Sequence, residues 1–152
     1  MSNLKRRDFI KNTALTAAGL SLAVNSKAKN SPASTGPLFK ISLAEWSINR
    51  SLFSGAMKHL DFPILARQNG IDAIEYVNQF FMDKATDTAF LRAMKDRADS
   101  EGVRSLLIMC DREGALGNPD AKKRMQTVEN HKKWVEAAKY LGCHSIRVNG
   151  FS

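Results

Sequence analysis

Three stretches of the chain carry the same punctuation: NGIDAIEYV, EGVRSLLIM and LGCHSIRVN. In each, Gly70, Gly102 or Gly142 stands directly before a run rich in Ile, Val and Leu. A glycine takes the left-handed conformation that closes a helix at little cost, so each stretch reads as a helix stop followed at once by a strand. Strands that alternate with helices at a spacing of roughly 30 to 40 residues build parallel βαβ units with right-handed crossovers. No other feature of the sequence narrows the fold as much.

Helix starts fit the same scheme. Asp61 is read as the cap of FPILARQN, where Pro63 is tolerated because it falls in the first turn, and Thr86 or Asp87 as the cap of TAFLRAMKDRADSE. Asn118 and Pro119 open the longest helix, DAKKRMQTVENHKKWVEAAKYL. Its apolar positions Met125, Val128, Trp134 or Val135, Ala138 and Leu141 recur at steps of three and four, which predicts one buried stripe. LFKISLAEWS supplies a strand ahead of them all. The expected strands are therefore about 39–46, 71–77, 103–110 and 143–149, in an α/β fold.

Four such strands make either a small open sheet or the first four β/α units of an eight-stranded TIM barrel, which typically needs ~250 residues. Two observations favour the incomplete barrel. AEWSINRSLFSG, after the first strand, has a single glycine and no phosphate-binding pattern, unlike a nucleotide-binding open sheet. The fourth strand has no helix after it to cover it, although parallel strands are normally covered on both faces. The expectation is the front half of something larger.

The start of the chain carries an independent signal. Lys5 to Lys11, KRRDFIK, sets two adjacent arginines before the short, mildly apolar NTALTAAGLSLAV, a pattern that resembles a twin-arginine export signal. It is too short and polar for a stable membrane span. The small residues of SKA suit cleavage after Ala28, giving a signal peptide over 1–28, a Ser/Pro/Gly-rich linker over 29–38 and the folded part over 39–152. Export to the periplasm and passage through the twin-arginine translocase follow as expectations. The net charge of +8 suggests a nucleic-acid partner only until it is located. Residues 1–28 hold five Lys/Arg against one Asp, and elsewhere basic residues are interspersed with acids, as in KDRADSE, so no nucleic-acid partner is expected. Cys110 and Cys143, near opposite ends of neighbouring strands, are too far apart for a disulfide.

In either parallel architecture ligands meet the carboxy ends of the strands. Polar and aromatic residues gather there: Glu45 and Trp46; Glu75, Tyr76 and Asn78; Cys110 and Asp111; Arg147 and Asn149. In the last strand Ser145, Arg147 and Asn149 share one face, and Ile146 and Val148 the other. With the aliphatic face against helices, Arg147 and Asn149 point at the barrel axis. The binding candidates are Trp46, Glu75, Asn78, Cys110, Arg147 and Asn149.

FKISLAEWS, LDFPILARQNGIDAIEYVNQFF and HKKWVEAAKYLGCHSIRVNG, in that order, resemble the N-terminal half of the xylose isomerase-like TIM-barrel family, in its exported sugar phosphate isomerase/epimerase group. The resemblance spans about 39–152. It implies a (β/α)8 barrel that isomerises or epimerises a sugar or sugar phosphate. A divalent metal (manganese, magnesium, cobalt or zinc) would stabilise an enediolate while carboxylates move the proton. In that family the two Glu, the Asp and the His that hold the metal come from the second half, and no position here corresponds to them. No metal is therefore expected on this chain alone, and no catalytic residue is assigned.

VENH, Val128 to His131, looks like a metal-binding Glu-Asn-His, but inside a helix Glu129 and His131 point in different directions. His59 and His144 read as surface or structural. Glu75 reads equally as a pocket residue or as the partner of Arg147 in an ion pair, Trp46 as a sugar platform or a plug, Cys110 as a buried filler, and Asp111 as the start of a turn. Two other functions stay open: a complete open-sheet binding module in the periplasm, and a half barrel that pairs with a copy of itself, a homo-oligomer without catalysis.

Overall fold

The computed structural model describes residues 38–152. The leader read over 1–28, and all but the last residue of the linker read over 29–38, lie outside the described residues. The strands are β1 (Leu43–Ala44), β2 (Ala73–Val77), β3 (Arg104–Cys110) and β4 (Ser145–Val148). The α-helices among the described residues are α1 (Asn49–Phe53), α2 (Phe62–Gln68), α3 (Thr88–Ser100) and α4 (Ala121–Leu141). The strands form one sheet in the order β1-β2-β3-β4, every pair parallel. The chain thus builds successive βα units in the strand order of a (β/α) barrel, as an open arc.

The three glycines act alike. Gly70, Gly102 and Gly142 have φ of 70°, 64° and 78°. Each donates its N–H to the carbonyl three residues back, and the residue after it donates to an alanine carbonyl: Ile71 to Ala66 at 3.0 Å, Val103 to Ala98 at 2.9 Å, Cys143 to Ala138 at 2.9 Å. Those alanines are buried at 0%, 2% and 3% exposure, so the turn can sit flat against the sheet only because their side chains are small. The recurring unit in the sequence is therefore Ala-x-x-x-Gly, with the alanine as necessary as the glycine.

Several boundaries differ from the sequence reading. The first strand is two residues long because the chain turns into a 3-10 helix at Glu45–Ile48. Asp61 makes no capping bond from its side chain. Asp87 caps α3, accepting from Phe90 N at 3.0 Å. The cap of α4 is Asp120, which accepts from Lys122 N at 2.8 Å, while Asn118 accepts from Asp120 N and shapes the turn before it. The buried face of α4 is Thr127, His131, Trp134, Ala138 and Leu141, joined by Ala137. Met125, Val128 and Val135 are exposed. Two polar residues hold the inward stripe because each bonds a helix carbonyl: Thr127 Oγ1 donates to Lys123 O at 2.9 Å, and His131 Nδ1 lies 2.7 Å from Thr127 O.

Register decides what shares a face. Tyr76, Ile108 and Ile146 are level across β2, β3 and β4, and face the helices. With Phe62, Phe81, Met94 and Trp134 they form the core. One residue further on, Val77, Met109 and Arg147 are level and face the opposite side. That side is the concave face of the arc.

Candidate functional site

Side chains tie the carboxy ends of the four strands to one another in order. Glu45, just past β1, is fully buried; its Oε2 accepts the Val77 N–H at the end of β2 at 2.8 Å. Asn78, just past β2 and also fully buried, accepts from Asp111 N and donates to Asp111 O, both at 2.9 Å. Asp111, just past β3, accepts from Asn149 Nδ2 at 2.5 Å on one carboxylate oxygen and from Gln79 Nε2 at 2.9 Å on the other. The ladder stops at the strand ends, and these side chains satisfy the backbone and carboxylate groups that would otherwise be left bare.

Above the ties lies a cleft of ≈ 580 Å³, lined among others by Trp46, Val77, Met109, Asp111, Arg147 and Asn149. That size suits a small ligand. Trp46 is 45% exposed and clusters with Phe53 and Phe80 at centroid distances of 6.2 Å each. Arg147 donates to Met109 Sδ at 3.4 Å and to Asn149 Oδ1 at 3.1 Å, which leaves further guanidinium N–H groups for a ligand. One wall is thus aromatic and the other polar. This combination can stack on the C–H face of a polyol ring and hydrogen-bond its hydroxyls.

The sequence candidates separate into three groups. Trp46, Arg147 and Asn149 meet in the cleft. Asn78 lies under it with its amide spent on Asp111, as a brace between strands. Glu75 is on the concave face one level below Val77, and accepts from Ser42 Oγ at 2.6 Å. No Glu75–Arg147 ion pair is present among the described residues. The register explains this: Arg147 is level with Val77, and β3 stands between the two strands, so the groups are offset by roughly 10 Å across and 7 Å along. Cys110 faces the helices at 2% exposure, and burial, then Glu113 and Asp111, push its thiol up to about 12. Cys110 is level with Val148 in β4, five residues beyond Cys143, and both cysteines are free.

Three cleft features were not carried from the sequence into the candidate set. Met109 shares the concave face with Val77 by simple alternation, a signal present in SLLIMC. Asp111 stands among the strand-end residues of the sequence reading but reads there as the start of a turn. Gln79 had no local signal, because its role depends on the neighbouring strand. The loop after β3 is anchored outward: Glu113, 7% exposed, accepts from Trp134 Nε1 at 2.6 Å and Lys133 Nζ at 2.9 Å. Gly117 N donates to Phe151 O at 2.7 Å, drawing the chain beyond β4 beside that loop.

The described residues do not fit a divalent metal. No three His, Cys, Asp or Glu side chains converge among them. Glu129 is exposed and paired with Lys132 at 2.7 Å, whereas His131 is buried against Thr127, so VENH splits as helix geometry requires. His59 is not at the surface: its side chain is 10% exposed and bonded to Glu45. His144 is exposed beside Ser145, at the amino end of β4. No helix among the described residues is long and apolar enough to cross a membrane.

No family model and no curated protein matches the sequence. Solved structures do. A D-psicose 3-epimerase, determined in the presence of D-fructose, matches with a TM-score of 0.55 and 16% identity over 72% of this chain and 37% of that one. The 3-keto-D-glucoside 4-epimerase YcjR from E. coli matches with a TM-score of 0.48 and 15% identity over 59% of this chain and 32% of that one. The chain therefore spans about a third of the length of these structures. What the likeness to the D-psicose 3-epimerase establishes is the fold: an α/β arc like part of a TIM barrel.

Proposed function

We propose that this chain forms the substrate-side half of a sugar isomerase or epimerase barrel. The observation that carries the reading is the cleft at the carboxy ends of parallel strands, with Trp46 on one wall and Arg147 and Asn149 on the other. It is supported by the likeness of the arc to the D-psicose 3-epimerase barrel. In this reading the chain's own residues bind and orient. Trp46 stacks on the sugar, Asn149 and Arg147 donate to its oxygens, and the Glu45, Asn78 and Asp111 ties hold the rim still so that little ordering is left to be done on binding. Arg147 also suits a phosphate group, which extends the substrate class to sugar phosphates. The metal and the proton-transferring carboxylates belong, on this reading, to the other half of a complete barrel.

Saturation-transfer NMR of the 152-residue chain with D-fructose and D-fructose 6-phosphate tests the binding half. Transfer from the chain to the sugar is expected, most of it lost in Trp46→Ala and in Asn149→Ala. An absence of transfer, or transfer unchanged in both variants, overturns the reading. A preference for the phosphorylated probe that disappears in Arg147→Gln would place the phosphate on that guanidinium.

The KRRDFIK leader motivates the second part of the proposal, export by the twin-arginine route to the periplasm. Changing Arg6 and Arg7 together to Lys is expected to leave the protein cytoplasmic and uncleaved in fractionation. A periplasmic product from that variant contradicts it.

A further inference from the structure

His59 is the one residue among those described with a buried side-chain polar atom, Nε2, that has no hydrogen-bond partner. Its ring is packed among three others, with centroids at 4.9 Å from Phe81, 5.8 Å from Phe90 and 6.0 Å from Tyr76, and with Glu45 at its remaining edge. Nδ1 lies 2.5 Å from Glu45 Oε1. Glu45 has no exposure at all, and its other oxygen takes the Val77 N–H. A carboxylate in an aromatic layer is expensive to bury unless its acceptors are filled, and these two donors fill them.

The next residue along is Trp46. Glu45 and Trp46 open the same 3-10 turn, Glu45–Ile48, so the turn has one side chain locked into the helix layer and the next one standing in the cleft. Glu45 is thereby pinned from two directions, by the end of β2 and by the turn that leads into α2. Asn49 braces the far side of the turn by donating from Nδ2 to Trp46 O at 2.5 Å. We infer that Glu45 and His59 are a positioning pair for Trp46: they fix the turn that carries the aromatic wall of the cleft, with the His59 proton on Nδ1 donated to the Glu45 carboxylate. The tautomer follows from the orphan atom. A bare Nε2 lone pair in an apolar layer costs less than an N–H with nothing to bond, and Nδ1–H is the donor Glu45 needs. The inference deepens the reading of the cleft as a sugar site, but its first two tests use no sugar.

Long-range ¹⁵N–¹H spectra of the full chain read the tautomer directly: His59 is expected to show a proton on Nδ1 and a bare Nε2, and the opposite pattern overturns the assignment. Trp46 is followed by ¹⁹F NMR with 5-fluorotryptophan, its resonance told from that of Trp134 by Trp46→Phe. His59→Phe keeps the aromatic packing and removes the tie, so the chain should still fold. The Trp46 resonance should broaden or split, and its quenching by acrylamide should rise by up to about twofold, the ceiling for a side chain already 45% exposed. Glu45→Gln, which retains an acceptor for the Val77 N–H, should give a smaller change than Glu45→Ala. If His59→Phe lowers the melting temperature while the Trp46 line and quenching stay as in the parent, the pair is structural only and the inference falls. A third arm titrates D-fructose. Weaker binding in His59→Phe extends the inference to the ligand, whereas a parent chain that binds no sugar removes the sugar reading and leaves the positioning result standing.

Discussion

The centre of the sheet and its two edges are built from the same repeated unit, yet they end in different environments. Tyr76 and Ile108, on β2 and β3, are 1% and 0% exposed, and are covered by Phe62 and Trp134 from the helices and Phe81 from the connection after β2, at 0–2%. On β4 the level position is Ile146, which is only partly buried, and Val148 is 39% exposed. Before β1, Ile41 is 64% exposed, and on the outer side of α4 Val128 and Val135 are 41% and 48% exposed. A βα unit buries its strand only when another unit stands on each side, so the fold of each unit is local while its stability is lent by neighbours. The arc has two such inner strands and two outer ones.

Trp134→Ala should separate the two regions most widely. The ring has no exposure, meets Phe81 edge-on at 5.3 Å and holds Glu113, so its loss should cost about 3–5 kcal/mol in denaturant unfolding. Val135→Ala, the next residue on the same helix, should change stability by less than about 0.5 kcal/mol. Equal effects would mean that the outer side of α4 is covered in solution, as pairing with a second copy would cover it.

That contrast also marks how far the sequence could be read. The strand and helix order, the parallel sheet and the concave direction of Arg147 and Asn149 were legible, because glycine stops and two-residue alternation are local signals. The inward face of α4 was legible only in its second half, at Trp134, Ala138 and Leu141. Thr127 and His131 hold the first half through bonds to their own helix, so a stripe drawn through apolar residues lands on Met125 and Val128 instead. The strand-end ties were half legible: Glu45, Asn78 and Asp111 stand out as polar residues after apolar runs. Which of them faces a ligand and which braces a neighbour depends on register, and register is not local. His59 reads in the sequence as surface or structural, and the choice between them is not local, since a histidine in a connecting turn gives no sign that four aromatic and acidic side chains will surround it.

Asn78→Ala sharpens the comparison at the rim, where centre and edge are tied. It leaves the Asp111 N–H and carbonyl without partners in a partly buried place, a cost of about 1–3 kcal/mol in the same unfolding assay. A loss no larger than that of Val135→Ala would mean that water replaces the brace.

Alkaline pH should act on the buried layer with a smaller effect. Burial raises Cys110 and Cys143 from an ordinary 9.0 to about 12, and raises Tyr76 well above its usual range, an effect partly offset by its hydrogen bond to Ser105. A group whose folded pKa is raised keeps its proton in the folded chain after the unfolded chain has lost it. Its contribution is complete below about 9 and is lost as pH rises toward 12. Melting temperature should therefore fall across that window, and both thiols should resist alkylation at neutral pH until the chain unfolds. Rapid labelling of native Cys110 at pH 7 would contradict its placement.

Amide hydrogen exchange, resolved along the chain at a protein concentration low enough to keep it monomeric, tests the unequal arc most directly. An arc with two lent strands and two borrowing ones predicts slow exchange at Tyr76, Val77, Ile108 and Met109, and exchange faster by orders of magnitude at Leu43, Ala44 and Ser145 to Val148. Uniform protection of all four strands in a monomer would contradict it, and would mark the sheet as a finished open-sheet domain with stable edges of its own.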